Sequence, residues 1–139
     1  MKIKEFLLKE DEIIDLIDYL KSILENQDKI ILLKGDLASG KTTLVRNFVK
    51  SLDIEDYVNS PTFSLQVVYS DNIFHYDLYN KTLQDFIALG MLEEFEKDGL
   101  HFIEWADESL ENILSDYGFS FLKIEIEKKD NKRLYKVYE

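Results

Sequence analysis

Ile13, Leu16, Ile17, Leu20, Ile23 and Leu24 recur at three- and four-residue intervals, the spacing that gathers side chains on one face of an α-helix. The pattern predicts an amphipathic helix over residues 11–25, with Asp11 at its start as a capping side chain. Residues 2–8 precede it as a strand. The run Ile30-Ile31-Leu32-Leu33 has no polar interruption and enters a glycine turn. An apolar run of that length belongs to a strand covered on both faces, so a central parallel strand is expected here. Leu44, Val45, Phe48, Val49 and Leu52 form the buried stripe of a second helix that begins near Lys41.

Further along, residues 63–69 and 73–76 read as strands around the turn Ser70-Asp71-Asn72, and residues 83–97 as largely helical. The segment Gly99-Leu100-His101-Phe102-Ile103 reads as another core strand, ending at Glu104-Trp105. Residues 119–127 and 133–137 alternate in polarity and flank the polar turn 128–132, which predicts a C-terminal antiparallel hairpin. The expected fold class is α/β: one domain over residues 1–139, with a mixed, mostly parallel sheet flanked by helices. One proline and five glycines leave few breakpoints for a second domain.

Composition removes several function classes. The 28 acidic side chains against 17 basic ones give a formal charge of −11, which repels a phosphate backbone and argues against an autonomous grip on nucleic acid. If RNA is involved, a partner is expected to carry it. The absence of cysteine excludes a disulfide framework, a thiolate zinc site and a cysteine nucleophile. Neither a signal-peptide pattern nor a run of ~18 apolar residues is present, so the expectation is a cytoplasmic protein without a membrane association.

The chemistry concentrates in Gly35-Asp36-Leu37-Ala38-Ser39-Gly40-Lys41-Thr42, a full match to G-x-x-x-x-G-K-[ST]. Glycines let the backbone curl so that successive N–H groups face a phosphate, and the following helix adds its positive N-terminal end. Lys41 then brings a point charge to the β- and γ-phosphates of ATP, while the Thr42 hydroxyl suits magnesium. Thr43 either lines the phosphate or a partner surface, or is an ordinary residue of the helix start. Hydrolysis also needs acids for the metal and for water. Asp77 and Glu104 are the candidates, because each ends a predicted strand at the edge where parallel α/β sheets bind ligands. His75 and His101 lack metal-ligand spacing and read as packing residues.

The series Gly35 through Arg46, Ser60-Pro61-Thr62-Phe63, His75-Tyr76-Asp77-Leu78-Tyr79, Leu89-Gly90 and Ile103-Glu104-Trp105 resembles the TsaE family. Those are small bacterial P-loop ATPases that support threonylcarbamoyladenosine formation on tRNA. The resemblance runs in order through nearly the whole chain. It implies a magnesium-dependent ATPase in which Thr42, Glu104 and Asp77 serve the metal, with Asp77 also near the attacking water. Residues 60–63 are implied as a nucleotide-sensitive switch with Thr62 at the γ-phosphate. It further implies Asp11 near the base and Arg133 near ATP, although a helix cap and a hairpin charge explain these two equally well. Trp105 either stacks in the core or flanks the nucleotide. The implied partners are TsaB and TsaD, with tRNA reached only through them.

Two departures stand out. Ala38-Ser39 replaces the family's usual Gly-Ala and adds bulk to the loop, and Asn80 replaces an arginine after the Asp-Leu-Tyr run. The reading that follows is an ATPase whose cycle resets a threonylcarbamoyl-transferring complex. Its competitors are a small-molecule P-loop kinase, which usually needs more arginines than Arg46 and Arg133, and a nucleotide-dependent binding module with negligible turnover.

Overall fold

A computed structural model describes residues 2–36, 38–59, 65–88 and 90–139. The unbroken apolar run becomes β2 (Lys29–Lys34), in which Ile31 and Leu33 face one layer of helices while Ile30 and Leu32 face the other. All four are buried, which explains why no polar residue interrupts the run.

Before it come β1 (Ile3–Leu8) and α1 (Ile14–Leu24). After it the order is α2 (Lys41–Ser51), β3 (Tyr57–Asn59), β4 (Gln66–Tyr69), β5 (Ile73–Asp77), α3 (Leu83–Ala88), α4 (Met91–Glu94) and β6 (Leu100–Glu104). The chain closes with α5 (Glu108–Asp116), β7 (Phe121–Lys129) and β8 (Lys132–Tyr138). The described strands form one eight-stranded sheet, ordered β1-β8-β7-β2-β6-β5-β4-β3.

Parallel pairing is confined to the centre: β2 with β6 and β7, and β5 with β6. The edges are antiparallel, through β7-β8 and β8-β1 on one side and β5-β4 and β4-β3 on the other. The sheet of described strands is therefore mixed, with three parallel pairings at its centre and four antiparallel ones outside them. Short turns favour this outcome, since hairpins close antiparallel pairs in a few residues whereas parallel pairs need a crossover. Helices α1 and α2 cover one face through Leu16, Leu20, Leu44 and Phe48. On the other face, Met91, Phe95, Leu110 and Leu114 pack over Phe74, Tyr76 and Ile103.

Three local expectations change. Asp11 does not cap α1: it lies exposed in a 3-10 turn over Glu10–Glu12, and α1 starts after Ile13 without a side-chain cap. The turn is closed instead by Glu12, whose Oε1 accepts from the Lys9 N–H at 2.8 Å. The long helix expected over residues 83–97 is split into α3 and α4, with Gly90 in left-handed backbone (φ 74°) at the start of α4. Finally, α5 falls in a stretch to which the periodicity assigned nothing. Its N-cap Asp107 accepts from the Leu110 N–H at 2.9 Å, and Leu110 and Leu114 form a single buried i, i+4 pair.

Candidate nucleotide site

Parallel strands place their carboxyl ends on one edge, and β2, β5 and β6 deliver the P-loop, Asp77 and Glu104 there together. The loop leaves β2 through Gly35 and reaches α2 through Gly40, whose φ of 109° is a left-handed conformation that favours glycine. A side chain at Gly35 would press within 2.6 Å of Ser39 Oγ and 2.7 Å of the Ile126 carbonyl. Both glycines are thus required by the loop's path. Ala38 occupies φ 61° without being glycine, so the added bulk sits at a strained position that costs roughly 1 kcal/mol.

Lys41 is 5% exposed and folds back over its own loop. Its Nζ donates to the carbonyls of Gly35 and Asp36 at 2.6 and 2.9 Å and stands 4.0 Å from the Trp105 ring centroid. Burial lowers its pKa from the ordinary lysine value, opposed by the charges of Glu104, Asp36 and Asp77. Trp105 therefore flanks the loop by a cation–π contact, and the Tyr79 ring packs tilted against it with centroids 5.0 Å apart. Its φ of 68° is rare for a bulky residue and puts the ring beside Lys41 immediately after β6.

Glu104 is 4% exposed, and one of its oxygens, Oε2, accepts from Thr42 Oγ1 at 2.7 Å and from His75 Nε2 at 2.5 Å. Burial pushes the carboxyl's pKa up, but the bonds from His75 and Thr42 and the charges of His75 and Lys41 outweigh it, leaving a net downward shift. A carboxylate only accepts, so the His75 Nε2 proton points at Glu104. His75 thus touches the site, correcting its reading as a packing residue. The period of two in His75-x-Asp77, which puts both on one face of β5, was the signal for this. His101 does pack: Tyr76 Oη donates to its Nδ1 at 2.7 Å, and its Nε2 donates to the Lys97 carbonyl at 2.8 Å.

Asp77 stands opposite Glu104 across the β5-β6 pair and is exposed, with Oδ1 accepting from the Tyr79 N–H at 3.0 Å. Thr42, His75, Asp77 and Glu104 line a cleft of about 500 Å³ that extends to Arg46 and Tyr69. A hydroxyl with two carboxylates is an oxygen donor set that suits magnesium, which keeps water and phosphate in its remaining positions. Among the described residues no three histidine, cysteine, aspartate or glutamate side chains converge into a metal cage.

The remaining candidates distribute unevenly. Arg133 reaches the loop: its Nε lies 3.2 Å from where a Gly40 side chain would be, is buried and has no hydrogen-bond partner. Ser39 Oγ is likewise buried without a partner. Leu8 pairs with Arg133, and Asp11 follows three residues after Leu8, exposed. Thr43 lies in the first turn of α2, its carbonyl accepting from Asn47 Nδ2 at 2.8 Å. Leu37 and Thr62 lie outside the described residues.

Comparison with known proteins agrees with this geometry. The family model for the threonylcarbamoyl adenosine biosynthesis protein TsaE matches residues 7–135. The tRNA threonylcarbamoyladenosine biosynthesis protein TsaE of Rickettsia felis is 36% identical over 134 residues, covering 92% of this chain and 75% of that one. Its counterpart from Bacillus subtilis is 38% identical over 80 residues, covering 55% of this chain and 50% of the relative, and that from Treponema pallidum is 34% identical over 87 residues, covering 60% and 64%. In these last two cases the chain spans less than two thirds of the relative's length. The crystal structure of Bacillus subtilis YdiB superposes with a TM-score of 0.68 at 25% identity, covering 98% of this chain and 84% of that one, so the P-loop NTPase-like fold extends to a solved structure. A P-loop with two strand-end acids, matched by the family model from the first strand to the last, places this chain in the TsaE family.

Proposed function

We propose that this chain binds ATP with magnesium at the P-loop, hydrolyses it, and by that cycle resets a TsaB–TsaD threonylcarbamoyl-transferring complex in tRNA modification. The observation that carries the nucleotide part is the three-way contact of Thr42, Glu104 and His75 at the end of β6, opposite Asp77. Lys41 leaves its two loop carbonyls for the phosphates, a change favoured because a phosphate offers full negative charge where the carbonyls offer dipoles. The Thr42 hydroxyl and Glu104, already in hydrogen-bond contact, would hold magnesium, and exposed Asp77 would orient the attacking water. Magnesium held there would supply charge neutralisation to the phosphates.

The partner identity and the tRNA pathway rest on family membership, and the charge of −11 supports a link to tRNA that runs through partners. The test is calorimetry with the purified TsaB–TsaD pair in the presence of ATP, a non-hydrolysable analogue, or no nucleotide, combined with phosphate release. Nucleotide-strengthened association and partner-stimulated release are expected. Association that ignores nucleotide, or phosphate transfer to a nucleoside or sugar acceptor, would reject the reading.

A further inference from the structure

A second cavity, of about 810 Å³, opens at the sheet edge opposite the P-loop, where β2, β5 and β6 begin. Its floor is apolar: Leu24, Phe48, Ile73 and Leu100 are buried, and Leu52 beside them is 38% exposed. Its rim is anionic, with Asp18, Glu25, Asp28 and Asp98 all exposed. The lysine in the lining, Lys21, offsets one of these four charges and donates its Nζ to the Ser51 carbonyl at 3.2 Å, so the opening stays net anionic. The carboxyl ends of α1 (at Leu24) and α2 (at Ser51) both border the cavity, and each adds the negative end of its helix dipole. The volume falls within the range of a built ligand pocket, ~300–1,000 Å³.

We propose that this cavity is the docking site for a partner protein that inserts a lysine or arginine side chain flanked by an apolar residue. The charge decides the sign of the occupant: four carboxylates and two helix carboxyl ends repel phosphate and carboxylate groups and attract a cation. The floor decides its form. A bare cation would leave the exposed Leu52 side chain at the mouth of this apolar floor against water, whereas the methylene stem of a basic residue and an apolar neighbour cover it. The geometry also leaves the nucleotide edge clear, because α2 carries Lys41 and Thr42 in its first turn and Phe48 and Ser51 near its last, about 15 Å away along the helix axis. A partner seated here and a nucleotide at the P-loop can therefore be held together, and the inference stands independently of the ATPase reading.

The test is amide-resolved NMR titration of the full chain with a short peptide of alternating leucine and arginine, with spermidine, and with the peptide in which glutamate replaces arginine. Shifts confined to the surroundings of Leu24, Leu52 and Gly99 are expected for the first peptide and none for the glutamate version. Leu52→Asp should weaken the peptide about fivefold although it makes the chain more acidic, and Glu25→Lys with Asp98→Lys should weaken it at least as much. Dispersed spectra check that each variant is folded. Shifts spread over the acidic surface, tighter binding by Leu52→Asp, or spermidine competing on equal terms would each overturn the proposal.

Discussion

Asp77 and Glu104 are register partners at the ends of two adjacent parallel strands, one exposed and one buried, so a single pairing presents two carboxylates with different surroundings to the same cleft. The buried one is held ionised by Thr42 and His75, as fits a metal-side group, and the exposed one is free to meet water. Glu104→Gln and Asp77→Asn should each retain ATP binding while slowing turnover about 100-fold or more, since metal and water placement act mainly in the transition state. Binding of a fluorescent ATP analogue and steady-state phosphate release measure the two separately. Normal turnover in both variants would reject this pair.

His75 contacts the buried carboxylate of Glu104 directly. His75→Phe should raise the magnesium concentration needed for half-maximal activity about 10-fold or more, the usual effect of removing the group that orients a metal ligand. His75→Asn, which keeps a donor, should recover part of it. A magnesium titration unchanged in His75→Phe would return this residue to a packing role.

Because Lys41 is buried against Trp105, Lys41→Ala removes packing as well as charge, and its effect on the fold is not that of a change in an exposed loop. Lys41→Met keeps the stem over the ring. It should weaken ATP binding about 100-fold, the loss of one charge-assisted phosphate contact, with little change in melting temperature. Calorimetry and thermal melts read both quantities, and wild-type affinity in Lys41→Met would remove this lysine from the site.

Ala38→Gly should stabilise the chain by about 0.5 kcal/mol, because φ 61° strains alanine and not glycine, partly offset by glycine's freer unfolded chain. The expected rise in melting temperature is roughly 2 °C. A decrease would show that Ala38 is not strained in solution.

Burial, assisted by the Lys97 charge, holds the His101 pKa below its ordinary value: the Lys97 carbonyl, Glu94 and Asp28 push it up by less. The unfolded chain therefore takes up a proton near pH 6.5 that the folded chain refuses, so this contribution to stability is present above that pH and falls as pH drops through it. Between pH 7.5 and 5.5 the parent should lose more melting temperature than His101→Gln, which avoids the titration. Equal losses would show that His101 is protonated in the fold.

Runs of local order made much of the protein legible from its residues. The four-residue apolar run located β2, the glycine-and-lysine motif located the turn to α2, and alternation located the β7-β8 hairpin, because each depends on spacing within a few residues. The strand-end positions of Asp77 and Glu104 followed from the same logic. Where spacing was sparse the reading stopped: α5 offers only Leu110 and Leu114 as a buried pair, and Gly90 divides a helix that composition alone would continue. Tertiary structure alone decided the partners. Neither the Thr42-Glu104-His75 contact nor the cavity at the far edge can be seen along the chain, because side chains tens of residues apart meet only when strand order is set. The sheet order β7-β2-β6-β5 brings β2 between two later strands, so the loop after β2 and the acids ending β5 and β6 share one edge by topology and not by sequence proximity.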